Sequence, residues 1–340
     1  MFLFSLTKFS LSRLSCKNPF NQDVDWYQVF KVPAMKDSIP NHVSGLGFFY
    51  RDPNIKLTEA TSDLDSTTGN PLYFSMKPIY EGMKDKYGYM LISDQPPNDG
   101  DRKPSDSYAH KKGVLIYDKD NGIYIEHSVP KYPNDPDKVN QYQFPTTGTT
   151  YGQAMVCTTL TKGNIEKWAQ GELIEKGYVY AENTPSFASS VAPSLIKIVN
   201  KEWNTNELTK VSDIKVGSKT FKLCSKAGKK WGKDLYHDLV APTLKGDTFS
   251  ETWSRGVGTM SSNCSNTYKA YNILNVNFQG VKWTRMNDHS KWVVIKDYFC
   301  IGGINRQLKQ LERGGGTWCI HDKEIADQMK NVVMTDYEKC

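Results

Sequence analysis

At 340 residues the chain is longer than most single cores use, which suits two domains or one large duplicated domain. Hydrophobic residues at 38% and charged residues at 24% exclude a disordered chain, and no stretch approaches the roughly 20 apolar residues of a membrane span. The formal charge of +6 is compatible with a polyanionic partner, yet no Lys or Arg block resembles a nucleic-acid-binding tail.

Residues 1–15 (MFLFSLTKFSLSRLS) have the length of a signal peptide, but Lys8 and Arg13 interrupt the apolar run. They read as an atypical signal segment or a frayed N-terminus. Trp26, Tyr27, Val29, Phe30 and Val32 predict a strand ended by Pro33, and residues 45–50 and 87–92 predict two more. Residues 93–105 are rich in Pro, Asp and Gly and form a surface loop that delivers the chain to residue 110. The run after Lys112 is β-branched and aliphatic and predicts a buried strand. Residues 119–122 (KDNG) predict a hairpin with Asn-Gly at its tip, and the return strand runs into His127. His127 on its own is as readily a strand-end histidine as a site residue. Residues 151–160 resume as a strand or a helix start.

A second half opens near residue 161, giving segments 16–160 and 161–340. Ile165, Trp168, Ala169 and Leu173 have helical spacing, with Gly177 at the helix end. Lys222, Lys226, Lys229, Lys230 and Lys233 form a basic cluster that reads as a solvated face rather than as a contact to a phosphate backbone. His42, His237 and His321 read as surface or satisfied core residues. Residues 292–295 predict a buried strand, and residues 312–317 (ERGGGT) predict a flexible loop.

Two of these strands are introduced by the same motif. HKKGVLIYD (110–118) and HSKWVVIKD (289–297) agree at five of nine places, about 180 positions apart. That spacing indicates two related halves rather than a solenoid, whose period is roughly 20–50 residues. In extended backbone, residues i and i+2 share a face, so His110 projects with Lys112 and His289 with Lys291. If the two strands lie side by side, two imidazoles and two ammonium groups meet. That set suits a phosphodiester: the lysines hold the non-bridging oxygens, one histidine attacks phosphorus and the other protonates the leaving oxygen. No metal or other cofactor is needed to supply positive charge.

The seven cysteines include no C-x-x-C pair, which argues against a zinc ribbon or a thioredoxin-like motif. An odd count at wide spacing suits three bridges, one spare thiol and an oxidising compartment. Asn263-Cys264-Ser265 is a glycosylation sequon consistent with the secretory route.

From Cys16 to Cys340 the sequence resembles the deoxyribonuclease II family. The resemblance is carried by DVDWYQVFKVPA, LISDQPPN, HKKGVLIYD with IEHSVPKYP, TYGQAMVC, SNCS, ILNVN, NDHSKWVV and ERGGGTWC. It implies an α/β fold of the phospholipase D-like kind: a pseudo-twofold duplicated domain with central β-sheets flanked by helices. It also implies an acid endonuclease that hydrolyses DNA without a metal, leaves 3′-phosphate ends through a phosphohistidine, and is secreted or lysosomal. On the family's motifs, His110, Lys112, His289, Lys291 and His127 carry over as catalytic residues. Asn305 matches the superfamily's substrate-binding asparagine.

The superfamily's aspartate seven residues after the histidine is missing, because Tyr117 and Lys296 stand there. Asp118 and Asp297 lie one residue later on the other strand face and receive no role. The resemblance also implies bridges Cys16–Cys157, Cys264–Cys340 and Cys300–Cys319, with Cys224 left over. Competing readings are a catalytically silent DNA-binding homologue and a phosphodiesterase acting on lipid. No stable membrane association is expected, and the oligomeric state, a homodimer included, stays open.

Overall fold

The computed structural model describes residues 13–81, 86–97, 104–333 and 336–340. The candidate signal segment falls outside them except for residues 13–15. The 93–105 loop is described only at its two ends.

Two eight-stranded sheets form the centre. The first contains β1 (Trp26–Lys31), β2 (Phe48–Arg51), β3 (Thr58–Glu59), β4 (Gly88–Ser93), β5 (Lys112–Tyr117), β6 (Asn121–His127), β7 (Gln153–Thr161) and β8 (Val179–Asn183). Its spatial order is β8-β4-β5-β6-β7-β1-β2-β3. The second contains β9 (Thr209–Val216), β10 (Lys219–Lys226), β11 (Thr248–Glu251), β12 (Ala270–Ile273), β13 (Trp292–Ile295), β14 (Tyr298–Gly302), β15 (Gly315–His321) and β16 (Tyr337–Glu338). Its order is β9-β10-β15-β14-β13-β11-β12-β16. The run β4-β5-β6-β7-β1-β2 therefore has a counterpart in β11-β13-β14-β15-β10-β9, with the two motif-bearing hairpins β5–β6 and β13–β14 at matching places.

Alternation along the strands builds three apolar layers. Trp26, Phe30, Leu115 and Tyr124 of the first sheet face Phe221, Trp292, Phe299 and Trp318 of the second in one shared core. Truncating a side chain such as Trp318 there costs roughly 3–5 kcal/mol. Tyr27, Val29, Val114 and Ile116 point the other way, under α1 (Pro71–Tyr80) and its Leu72, Met76 and Ile79. Val293 and Ile295 do the same in the second sheet, beneath Leu235, Tyr236 and Val240 of the π-helix Leu235–Val240. The helices α2 (Lys162–Glu175) and α3 (Lys323–Val333) fill the shared core from its sides. The fold is thus mixed α/β, with central sheets flanked by helices. No helix among the described residues is long and apolar enough to cross a membrane.

Disulfides join Cys16 to Cys157, Cys264 to Cys340 and Cys300 to Cys319. Cys224 is free and buried, and burial pushes its thiol up to about 12.

Four local expectations need correction. The β5–β6 turn has Lys119-Asp120 at its tip, while Asn121 and Gly122 already belong to β6. The Asp118 carboxylate accepts the N–H groups of Asp120 (2.7 Å) and Asn121 (2.8 Å), which fixes the turn one step earlier than Asn-Gly would. The left-handed residue that ends α2 is Lys176 (φ 65°), not Gly177. Of the expected flexible loop at 312–317, Gly315, Gly316 and Thr317 instead begin β15, held between β10 and β14, while residues 312–314 lead into it. Its glycines serve close packing: a Cβ on Gly314 would lie 1.9 Å from the Glu175 carbonyl oxygen. Finally, Lys226 is not on a solvated face. It is buried, and its ammonium donates to the carbonyls of Gln310 (3.1 Å), Leu311 (3.2 Å) and Arg313, which anchors the turn before β15.

Candidate active site

The first motif sits where β5 begins. The antiparallel pairing of Ser93 with Lys112 places Asp94, the residue after β4, beside the lysine. Lys112 donates to Asp94 Oδ1 at 2.7 Å and Arg313 donates to Oδ2 at 3.1 Å. His110 Nε2 stands 3.9 Å from the same Oδ2. Burial alone would raise the Asp94 carboxyl. Lys112, His110 and Arg313 overcome that and hold it well below the usual range.

The second motif precedes β13. Lys291 donates to the carbonyl of His289, and its ammonium lies 3.2 Å from His289 Nδ1. Among the described residues it has no carboxylate partner in salt-bridge range. Asp288, Asp94 and Glu251 act on it only at a distance. Burial, and then repulsion from Lys112, push its pKa well below that of an ordinary lysine.

Each histidine is held by the other half of the chain. His110 Nδ1–H donates to the carbonyl of Gly303 at 2.6 Å, and His289 Nδ1–H donates to the carbonyl of Ser128 at 3.0 Å. Ser128 follows β6 and Gly303 follows β14, so the two carbonyls occupy matching places after the two hairpins. The main chain repeats the exchange: His110 N–H donates to Gly314 O at 2.9 Å, and His289 N–H to Gly152 O at 2.8 Å. Gly152 directly precedes β7, and Gly314 directly precedes β15. Gly303 is required for this approach, since a Cβ there would lie 2.7 Å from the carbonyl oxygen of His110. With Nδ1 carrying the hydrogen in both rings, each Nε2 keeps its lone pair when the ring is neutral.

Both histidines line one cleft of about 740 Å³, together with Asp94, Trp253, Asn305 and Arg313. Burial comes first in lowering both rings. His110 is pushed down to about 3, with Lys112 and Arg313 adding to the effect. His289 is held well below an ordinary histidine, with Lys291 and Lys112 adding. Burial and the neighbouring cations thus disfavour the charged form of both rings. Asn305 is buried and lines the cleft, where its Oδ1 accepts the Trp253 N–H at 3.2 Å.

His127 does not line the cleft. It is fully buried with its ring edge against Tyr132, 5.3 Å between centroids, and among the described residues neither ring nitrogen has a hydrogen bond of ordinary geometry. Burial first, then Lys112, lowers it to about 3.

Behind His110 lies a buried charge cluster. Lys111 donates to Glu172 at 2.6 Å and to Glu175 at 2.5 Å, and Glu126 stands 3.9 Å away, accepting from Tyr124 at 2.6 Å. Burial pushes Glu126 up to about 8, so this carboxyl is neutral and the cluster holds less negative charge than its composition suggests. Among the described residues, no group of three or more His, Cys, Asp or Glu is placed to hold a metal ion.

Asp94 and Arg313 were not assigned roles from sequence, although both lie in stretches that carry the family resemblance, LISDQPPN and ERGGGTWC. An aspartate ending an otherwise apolar strand was the available signal. Their meeting, across 219 positions, was not legible.

Two sheets meeting at paired histidines and lysines define a centre suited to an anionic phosphorus ester. The family model described as Deoxyribonuclease II matches residues 15–340, and the chain belongs to that family. It is 30% identical to Cell death-related nuclease 6 of Caenorhabditis elegans, with 97% of this chain and 90% of that protein covered. It is 32% identical to Plancitoxin-1 of Acanthaster planci (96% and 92% covered) and 30% identical to Deoxyribonuclease-2-alpha of Rattus norvegicus (90% and 89%). The chain is a deoxyribonuclease II-type hydrolase, and DNA is its substrate class.

Proposed function

We propose that this protein is a metal-independent acid endonuclease that cleaves DNA through a phosphohistidine and leaves 3′-phosphate ends. The observation that carries the reading is the reciprocal hold on the histidines. Each ring is fixed through Nδ1 by the opposite half, and both rings line the same cleft. The scissile phosphate binds between them, its non-bridging oxygens held by Lys112, Lys291 and Arg313, which supply the positive charge. The neutral Nε2 of His110 attacks phosphorus. The bond to the 5′-oxygen breaks as protonated His289 gives its Nε2 hydrogen to that oxygen. Neutral His289 then takes a proton from water as the water oxygen attacks phosphorus. The P–N bond breaks, its electron pair returns to His110, and a 3′-phosphate departs.

The acid dependence follows from charge. Burial and the ammonium groups of Lys291 and Lys112 oppose protonation of His289. An anionic phosphodiester offsets that field and raises the ring, so binding takes up a proton. Activity is then present below the pKa of His289 in the complex and lost as pH rises through it. Asn305 contacts the bound strand, and His127 belongs to the catalytic set from a buried position near Lys112. The matching strand orders and the reciprocal bonds favour a duplicated pair of halves, 16–160 and 161–340. Three disulfides and the sequon at Asn263 favour a secreted or lysosomal, glycosylated protein.

The test is plasmid DNA at about pH 5 in excess EDTA, with wild type, His110→Ala and His289→Ala side by side. Wild-type cleavage with 3′-phosphate ends and loss in both variants is expected. Turnover retained by folded His289→Ala, or wild-type activity abolished by EDTA, would sink the mechanism.

A further inference from the structure

The two histidines are held alike by backbone, but the side chains beside them differ at two places that strand pairing makes equivalent. In the first sheet Ser93 pairs with Lys112, and Asp94 is the next residue along. In the second, Glu251 pairs with Trp292, a register that sets Thr252 opposite Lys291 and makes Trp253 the next residue. Asp94 and Trp253 therefore occupy one position. The second place follows from the carbonyls that accept the histidine N–H groups. Gly314 accepts from His110 and Gly152 from His289, so Arg313 and Tyr151, each one residue earlier, also correspond.

The residues at these two places touch each other in both halves. Arg313 donates to Asp94 at 3.1 Å, and Tyr151 packs on Trp253 with 4.7 Å between ring centroids. Each pair also faces its histidine. Asp94 Oδ2 stands 3.9 Å from His110 Nε2, and the Trp253 ring meets the His289 imidazole at 5.0 Å with 71° between the planes. Arg255 braces the aromatic pair: its guanidinium lies 5.4 Å from the Tyr151 centroid and 5.9 Å from that of Trp253, and it donates to the Tyr151 hydroxyl at 2.7 Å. The Trp253 main chain is tied to Asn305 and Gln307. An ion pair beside one histidine thus stands where an aromatic pair stands beside the other.

We propose that these unlike pairs divide the labour of two otherwise matching histidines: Asp94, backed by Arg313, stabilises His110 as it becomes the phosphohistidine, and Trp253, backed by Tyr151, positions His289 as the proton carrier. The inference rests on the histidine roles proposed above. When Nε2 of His110 bonds to phosphorus while Nδ1 keeps its hydrogen, the ring becomes an imidazolium. A carboxylate facing Nε2 stabilises that charge. Burial, Lys112 and Arg313 disfavour a charged ring before the attack. His289 has the reverse need. It gives up a proton in the first step and takes one in the second, and a carboxylate at the same place would hold that proton. The rings of Trp253 and Tyr151 fix the direction of the imidazole and bring no negative charge to compete for it.

The experiment uses the full chain in single turnover on an end-labelled oligonucleotide in which one linkage carries sulfur in place of its bridging 5′-oxygen. A thiolate leaves without a proton, so a variant that fails only in delivering the acid recovers at that linkage. The ratio of the two rates within one protein cancels differences in the amount of folded enzyme. His289→Ala should lose about 10²–10⁴-fold at oxygen and recover most of it at sulfur, while His110→Ala should stay inactive at both. Trp253→Ala should lose about 10- to 100-fold at oxygen, the scale of a misplaced catalytic group, and no more than about 3-fold at sulfur. Tyr151→Ala should show a smaller loss with the same recovery. Trp253→Phe, which keeps a ring against His289, should restore most of the rate at oxygen. Asp94→Asn should lose about 10²-fold at both linkages.

Rescue of His110→Ala rather than His289→Ala would overturn the histidine assignment itself. With that assignment upheld, a Trp253→Ala loss equal at sulfur and oxygen would show that the indole does not act through His289. Recovery of Asp94→Asn at sulfur would put Asp94 on the side of the acid. Either result would overturn the division of roles.

Discussion

The two histidine–lysine motifs share their spelling and differ in the charge around them. Lys112 has a carboxylate at 2.7 Å, and that carboxylate is shared with Arg313 and faces His110. Lys291 is equally buried and, among the described residues, has carbonyl and imidazole groups but no carboxylate beside it, so burial lowers it strongly. A motif thus fixes which groups arrive at a site, and the neighbours set their charge. The first half is a compensated ion cluster. The second is a buried lysine with no carboxylate in salt-bridge range among the described residues.

Removing each lysine sharpens this contrast most. Lys112→Met and Lys291→Met should both lower kcat/KM by about 10²–10³-fold, the usual cost of a lost charge stabiliser. Their effects on folding should have opposite signs. Lys291→Met removes a buried cation without a partner and should stabilise the fold by about 1–2 kcal/mol. Lys112→Met leaves Asp94 with Arg313 alone and should destabilise it by a similar amount. Denaturant unfolding measures both, and shifts of the same sign would break the comparison.

Asp94→Asn comes next, with an expected loss of about 10²-fold in the single-turnover rate. The carboxylate that steadies Lys112 and faces His110 would then be neutral. A variant at wild-type rate would show Asp94 to be structural only.

The histidines permit a comparison in stability against pH. His110 is lowered to about 3, so the unfolded chain binds a proton below about pH 6.5 that the native protein does not, and stability falls as pH drops. His110→Gln removes this penalty. Relative to wild type it should gain roughly 2–3 kcal/mol on going from pH 7.5 to pH 4.5.

His42 has the opposite sign and a smaller effect. Its ring donates from Nδ1 to Asp37 at 2.8 Å and from Nε2 to Glu59 at 2.6 Å, which requires the charged imidazolium. Burial opposes the charge, but the two carboxylates prevail and raise the pKa. Its contribution is complete below about pH 6.5 and is lost as pH rises through the folded value. Because both carboxylates are partly exposed, His42→Gln should cost only about 1 kcal/mol at pH 5 and less at pH 8. Unfolding at the two pH values reads it directly.

Much of the fold was legible because strands announce themselves by alternation. Trp26, Tyr27, Val29 and Phe30 predict such a strand, and the structure covers both of its faces, Trp26 and Phe30 on one and Tyr27 and Val29 on the other. The repeated motif led to His110 and His289 because an internal duplication of words needs no tertiary knowledge. What was hidden shares a physical cause. The carbonyls of Gly303 and Ser128 act through backbone, which any residue type carries, so no side chain marks them. Lys226 looked like a surface lysine because neighbouring lysines are exposed. Only the turn at 310–313, brought over by β15, turns it inward. The Asn-Gly tip failed because Asp118, one position before the turn, offered the backbone a stronger acceptor.

The crossed hold on the two rings has a temporal consequence. A ribosome delivers His110 and Lys112 long before Gly303 and Gly314, the residues whose carbonyls grip His110 from the far half. Until those residues have been synthesised and folded back, the nascent segment has no partner for the His110 ring or its N–H among the residues that hold them in the complete chain. The orientation of His110 is thus set only after nearly the whole chain has been made.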